Sequence, residues 1–274
     1  MIAALLRDRG ALAAGMALLA LAAAAWVAVA TQGAGMGGGM LPAASGPVPD
    51  AALFTLMWAV MMAAMMLPSA IPTIALYGLV SRGERAVPTW AFATVYLLVW
   101  LALGVPVYLG SIGVAALGEG GAGAWLPHAL AAVLSVAGAY QFTAIKRVCL
   151  KHCQSPLTFM MERWHASYGA TLRLALGHAA YCVGCCWGLM VILVAAGAMS
   201  LPWVLLIAVV VFAEKVLPRG EWTARVVGAA LLGLAALVAV RPDLAVGLRG
   251  QSVGDTSGPG MAVGWPRTFA ELAF

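Results

Sequence analysis

The cysteines of this 274-residue sequence form two short clusters whose spacing could hold a soft metal ion. Cys182, Cys185 and Cys186 follow His178 at steps of four, three and one. On a helix, these steps place the four side chains on one face. Thiolates and imidazoles are ligands for both Cu(I) and zinc. The pattern predicts a soft-metal or redox site with His178 as an auxiliary ligand. The alternative is that buried thiols only pack as small hydrophobic groups.

The second cluster is Cys149-Leu-Lys-His152-Cys153, in the longest polar segment in the middle of the chain. Steps of three and four along a helix allow all three side chains to face one ligand. A cytoplasmic segment keeps its thiols reduced, so this spacing favours a metal or redox site over a structural disulfide. We therefore include Cys149, His152 and Cys153 among the predicted metal ligands.

Methionine sulfur forms a third group, in an apolar segment that contains Pro68 and Pro72. Thioethers select Cu(I) over hard cations, but methionine also fills irregular protein cores. By itself the stripe is better explained by packing, and it gains meaning only beside the cysteines. The methionines in and before this stripe are Met36, Met40, Met57, Met61, Met62, Met65 and Met66.

Two adjacent charges, Glu214 and Lys215, end an apolar segment. A charge near a membrane segment is costly unless it is paired, faces a cavity or reaches the interface. Lys215 could extend to the cytoplasmic interface, and Glu214 could pair with it or act as a ligand or proton relay. The tryptophans, including Trp58 and Trp187, are expected as interfacial anchors.

The elements that must position these residues are membrane helices. Hydrophobic residues make up 64% of the chain and charged residues 9%, with a mean hydropathy of +0.98. A soluble protein is about 25% charged, and apolar runs of about 20 residues span a bilayer as helices. The fold prediction is an all-α, polytopic transmembrane bundle of about seven helices, or six if the first is cleaved or the last does not span. The predicted helices are 11–30, 51–80, 88–116, 124–145, 172–199, 201–216 and 224–240.

The chain divides into four predicted regions. Residues 1–50 contain a membrane helix and a Gly/Pro loop, and residues 51–223 form the core domain with the Met and Cys motifs. Residues 224–240 form the last membrane helix, and residues 241–274 form a tail predicted to be disordered. Pro68 and Pro72 are predicted to bend the second helix near the cytoplasmic interface.

Basic residues alternate between loops and predict the orientation in a bacterial inner membrane. Basic loops mark the cytoplasm, so the N-terminus and segment 146–171 are predicted to be cytoplasmic and segment 31–50 exterior. In this arrangement Arg241, Arg249 and Arg267 fall on the exterior side, against the rule. The basic residues that define the cytoplasmic loops are Arg7, Arg9, Arg82, Arg85, Lys146, Arg147, Lys151, Arg163, Lys215, Arg219 and Arg225.

Several of these segments, in the same order, resemble a bacterial family catalogued as domain of unknown function 2182. The family is described as predicted metal-binding integral membrane proteins. The resembling segments are 57–70, 140–156, 181–190 and 214–215, which together cover about residues 51–220. The resemblance implies a metal-binding membrane protein.

Three functions fit these features. The first is handling of a soft metal, Cu(I) with zinc as the alternative, by transport or by delivery to a copper-dependent membrane or periplasmic protein. The second is a membrane thiol oxidoreductase in which Cys182 and Cys185 exchange electrons with Cys149 or Cys153. The third is a non-catalytic scaffold or assembly factor. The sequence has no phosphate-binding Gly-x-x-x-x-Gly-Lys-Ser/Thr loop, which excludes an ATP-driven pump in one chain. The modest net charge of +5 lies in short loops and predicts no nucleic-acid partner.

Overall fold

A computed structural model describes residues 9–35, 47–81, 88–119, 125–163, 167–197 and 201–248. Within these ranges the chain forms ten α-helices and no strand, which confirms the all-α prediction. Met36, Met40 and the predicted tail beyond residue 248 lie outside the described residues. The helices are α1 Arg9–Gly35, α2 Pro47–Val80, α3 Thr89–Glu119, α4 Leu126–Tyr140, α5 Ala144–Gln154, α6 Pro156–Arg163, α7 Tyr168–Gly197, α8 Leu201–Val216, α9 Gly220–Val240 and α10 Asp243–Leu248.

Five of the described helices, α1, α2, α3, α7 and α9, are long and apolar enough to cross a bilayer. A sixth span results if α4 and α5, which are bent by 63° relative to each other, count as one. Helix α8 has 16 residues, fewer than the roughly 20 residues that usually cross the hydrocarbon core. The chain thus has the helices of a multi-pass membrane protein.

Helix α2 is the central element of the bundle. Seven consecutive residues, 61–67, are buried, so the helix is enclosed on all sides. It packs against α1, α3, α6 and α8. The helix is not interrupted at Pro68 or Pro72, and the bend predicted there stays a prediction. Trp58 is only 2% exposed and its indole N–H donates to the Trp100 carbonyl at 3.0 Å. Trp58 is therefore a core residue, and its prediction as an interfacial anchor is wrong.

The predicted helix 124–145 ends early, and the chain turns before the polar segment begins. Helix α4 ends at Tyr140, and Thr143 caps the next helix by accepting a hydrogen bond from the Lys146 N–H at 3.2 Å. A threonine hydroxyl at this position satisfies a free N–H of the first turn. Helix α5 then packs against α7, α8 and α9. Lys146, predicted as a loop charge, is 1% exposed because the turn directs α5 back onto the bundle.

Candidate metal centre

The bend between α4 and α5 brings the two cysteine motifs together. The sulfur of Cys153 on α5 lies 3.8 Å from the sulfur of Cys185 on α7. Both thiols are free, Cys185 is 1% exposed and Cys153 is half-buried. The structure therefore pairs one cysteine from each predicted cluster across two helices.

A glycine allows this close approach of α5 and α7. A Cβ atom at Gly184 would lie 2.7 Å from the sulfur of Cys149, closer than real Cβ contacts. The Tyr140 hydroxyl donates to the Gly184 carbonyl at 2.5 Å, which fixes the end of α4 to the same point. Cys149 thus packs against Gly184 one helical turn before Cys153. Its predicted role as a metal ligand stays a prediction, and its thiol is not part of the 3.8 Å pair.

We expect Gly184→Ala to separate α5 from α7. The added methyl group must displace the buried Cys149 thiol, so the free energy of unfolding should fall by about 1–3 kcal/mol. Disulfide cross-linking between Cys153 and Cys185 by a mild oxidant should become slower. The matched control is Gly188→Ala, one turn further along α7, where the nearest atoms would be 3.6 Å away. Equal behaviour of the two variants would contradict the tight contact at Gly184.

Cys182 has two polar partners next to the sulfur pair. The Lys215 ammonium donates to its sulfur at 2.9 Å, and the Tyr96 hydroxyl lies 3.0 Å from the same atom. Lys215 also reaches the Ser69 hydroxyl at 3.4 Å and the Met66 sulfur at 3.7 Å. Cys182 is therefore held by groups from α3 and α8. Nothing in the sequence pattern indicated Tyr96 or Ser69 as neighbours of the cysteines.

The remaining thiol, Cys186, faces its own helix. Its S–H donates to the Cys182 carbonyl at 3.0 Å, and the Cys185 S–H donates to the same carbonyl at 3.1 Å. Cys186 is 1% exposed. The predicted roles of Cys182 and Cys186 as metal ligands stay predictions, and the described sulfur neighbour of Cys185 comes from α5.

A buried ion pair lies beside the sulfur pair. The Lys146 ammonium donates to the Glu214 carboxylate at 2.6 Å and also to the Cys185 carbonyl. Both side chains are 1% exposed. The partner of Glu214 is thus Lys146 rather than Lys215. The expectation that Lys215 extends to the interface is wrong, since Lys215 is 7% exposed and donates to Cys182 inside the bundle.

The two predicted histidine ligands have different surroundings. His178 is 3% exposed, and its ring lies between those of Phe92, Tyr96 and Phe159, with centroid distances of 5.6 to 6.1 Å. Its Nε2 atom has no hydrogen-bond partner among the described residues, and its predicted role as an auxiliary ligand stays a prediction. His152 stacks on Tyr181 at 4.1 Å and shares a hydrogen bond of 2.8 Å with the Val148 carbonyl. The structure does not bring His152 to the sulfur pair, because its ring and Nδ1 are committed to these contacts.

The predicted methionine ligands are all buried in α2. Met61, Met62, Met65 and Met66 are each at most 2% exposed. Only the sulfur of Met66 has a described polar contact with the cluster, through Lys215. Met66 is thereby linked to Cys182 through the Lys215 ammonium, which contacts both sulfurs.

The sulfurs of Cys153 and Cys185 lie close enough together to bind the same metal ion. In the described part of the chain, no three Cys, His, Asp or Glu side chains converge closely enough to hold a metal ion. Two thiolates can bind the same metal ion with metal–sulfur bonds of about 2.3 Å. The two sulfur atoms can then be at most about 4.6 Å apart. The separation of 3.8 Å between Cys153 and Cys185 lies within this limit. Cu(I) prefers such thiolate ligands.

Comparison with known proteins places the chain in a copper-related group. No curated protein and no solved structure matches the chain. The family model of PpoB2, described as a copper chaperone, matches residues 55–238. The match begins in α2, ends in α9 and includes both cysteine motifs. The match agrees with the predicted handling of copper. Because it covers more than half of the sequence, the chain belongs to the PpoB2 copper chaperone family.

Proposed function

We propose that this protein holds one Cu(I) ion between the thiolates of Cys153 and Cys185 and delivers it to a copper-dependent membrane or periplasmic protein. The observation that carries the proposal is the 3.8 Å separation of two free thiols across α5 and α7. A family described as copper chaperones supports copper as the cargo.

The surroundings favour Cu(I) over zinc. Structural zinc sites use four ligands in a tetrahedron, whereas the described residues offer two adjacent thiols and no group of three ligands. The thioether of Met66 lies near the cluster, and thioethers bind Cu(I) rather than hard cations. The two thiols also differ in access, because Cys153 is half-buried and Cys185 is fully enclosed. The ion should therefore exchange on the side of Cys153, and a periplasmic recipient would require the ion to cross the bundle first.

Metal analysis of the purified protein tests this proposal. The full chain in detergent, reduced and loaded without oxygen, should retain one Cu(I) per chain against a moderate chelator. Each bound thiol releases a proton on binding, so proton release should accompany loading. Absence of copper would refute the proposal.

The same sulfur pair supports a thiol oxidoreductase as the second candidate. Two thiols at this distance could form a disulfide, with the release of two protons and of two electrons to an acceptor. In that case the purified protein would show a reversible disulfide between Cys153 and Cys185 and would bind no copper. If the purified protein has neither bound copper nor a reversible disulfide, that result would favour the scaffold function.

We also propose that the N-terminus is cytoplasmic in a bacterial inner membrane. Lys146 and Lys215 are buried and no longer count as surface charges. The basic residues that stay exposed in the segments predicted to be cytoplasmic are Arg147, Lys151, Arg163, Arg219 and Arg225. Basic loops favour the cytoplasm. In a cysteine-free chain, Ser45→Cys should react with an impermeant thiol reagent in intact cells and Glu162→Cys should not. The opposite labelling would refute this orientation.

A further inference from the structure

Cys153 lies in the last turn of α5, the part of a helix that is least firmly held. Helix α5 ends at Gln154, and Pro156 begins the next helix. The last turn of a helix frays, and a proline cannot extend the helix before it. Cys185, in contrast, lies inside the 30-residue α7 and is 1% exposed. The distance between the two sulfurs therefore depends on the contacts that hold the last turn of α5.

The residue before Cys153 holds this turn against α7. The ring of His152 stacks on the ring of Tyr181, with the centroids 4.1 Å apart and the planes within 2° of parallel. The hydroxyl of Tyr181 accepts a hydrogen bond of 2.8 Å from the Arg163 guanidinium, which holds the tyrosine ring in place. Tyr181 lies one helical turn before Cys185 on α7. The stack thus joins the same two helices as the sulfur pair, one turn away.

The residue after Cys153 holds the turn against α8. The side-chain amide of Gln154 donates to the carbonyls of Glu214 at 2.7 Å and Leu217 at 3.2 Å. Carbonyls at the end of a helix have no partner within that helix, so a side-chain donor there satisfies them. Gly220 leaves the space that the amide occupies, because a Cβ atom at this position would lie 2.2 Å from the Gln154 nitrogen. The end of α5 is therefore fixed to the end of α8.

We propose that His152 and Gln154 are positioning residues that hold Cys153 opposite Cys185, which rests on the proposed function of this sulfur pair. The two side chains contact different helices, α7 and α8, so the last turn of α5 cannot move away from Cys185 without losing one of these contacts. His152 then contributes through the face of its ring and not through coordination by a nitrogen. Ligands that are held in place before binding lose less conformational freedom on binding.

The experiment measures, without metal, how readily the two thiols meet. In a glutathione buffer with a metal chelator, Cys153 and Cys185 are oxidised to a disulfide while one oxidised glutathione is reduced to two glutathione thiols. The equilibrium constant of this exchange is the effective concentration of one thiol at the other. It is measured on the detergent-solubilised full chain, and mass spectrometry of the cysteine peptides identifies the bond. The Cu(I) affinity of each variant is then measured after reduction.

We expect His152→Ala and Gln154→Met each to lower the effective concentration and the Cu(I) affinity by at least about 10-fold, as losing a residue that orients a metal ligand does. His152→Phe keeps a flat ring to stack on Tyr181 but has no ring nitrogen, and it should restore most of the loss seen in His152→Ala. The matched control is Lys151→Met, which changes an exposed side chain in the same turn of α5. This control should leave both quantities unchanged.

The outcomes separate the positioning role from the proposed function. Wild-type effective concentrations in both His152→Ala and Gln154→Met would refute the positioning role while the sulfur site stands. A loss in His152→Phe as large as that in His152→Ala would show that the imidazole nitrogen is required, and it would refute positioning by the stack. If the disulfide equilibrium shifts as expected but the wild-type chain binds no Cu(I), the positioning role stands and the proposed function is refuted.

Discussion

Glu214→Ala is expected to cause the largest loss of stability among single substitutions at the cluster. The change leaves Lys146, which is 1% exposed, without its carboxylate partner. Breaking a buried ion pair by removing one partner costs about 3–5 kcal/mol, because an uncompensated charge stays in the interior. Thermal or denaturant unfolding of the detergent-solubilised chain, followed by tryptophan fluorescence, measures the effect.

Two controls separate this effect from a general loss of charge. Glu221→Ala breaks the exposed pair with Lys151, at 3.7 Å, and should cost at most about 1 kcal/mol. The double variant Lys146→Met/Glu214→Leu removes both buried partners and should recover most of the stability, since apolar residues often replace a buried pair without loss. Wild-type stability of Glu214→Ala would show that the pair is not enclosed as described.

Replacing either sulfur of the pair should nearly abolish Cu(I) binding. For Cys153→Ser and Cys185→Ser we expect the Cu(I) affinity to fall by more than about 100-fold, because losing even a residue that only orients a metal ligand costs about 10- to 100-fold. Competition with a Cu(I) chelator under reducing conditions measures the change.

The chain offers matched thiol controls for this experiment. Cys149→Ser changes a buried thiol one turn earlier on α5, and Cys186→Ser changes the thiol next to Cys185. Both controls should keep most of the Cu(I) affinity, because neither sulfur belongs to the 3.8 Å pair. An equal loss in Cys149→Ser would mean that the metal ligands are not Cys153 and Cys185 alone.

Helical spacing predicts which cysteines of α5 share a face. Cys149 and Cys153 both contact α7, at Gly184 and at Cys185 respectively. The same spacing included His152, whose ring instead stacks on Tyr181. Spacing defines a face of a helix, but it does not say which neighbour covers each side chain.

The charged partners could not be predicted, because they are far apart in the sequence. Lys146 and Glu214 are separated by 68 residues, and their pairing depends on the 63° bend between α4 and α5. Apolar runs predict that helices exist, but they do not predict a bend at a turn as short as residues 141–143. A charged residue beside such a turn looks like part of a loop, which is why Lys146 was counted among the loop charges.

For the methionine stripe, packing in the core explains most of the sequence pattern. Met61, Met62 and Met65 are buried in the central helix and have no described polar contact with the cysteines. Met66 differs because Lys215 lies 3.7 Å from its sulfur. The regular spacing of the stripe could not single out Met66, since that depends on the position of α8.

X-ray absorption at the copper K-edge of the Cu(I)-loaded, reduced protein examines the metal's ligands directly. We expect two sulfur neighbours and no nitrogen, which corresponds to Cys153 and Cys185 with His178 and Cys182 outside the coordination. The same spectrum recorded on Cys186→Ser should be unchanged. A spectrum that requires a nitrogen ligand or three sulfur ligands would contradict the two-thiolate site.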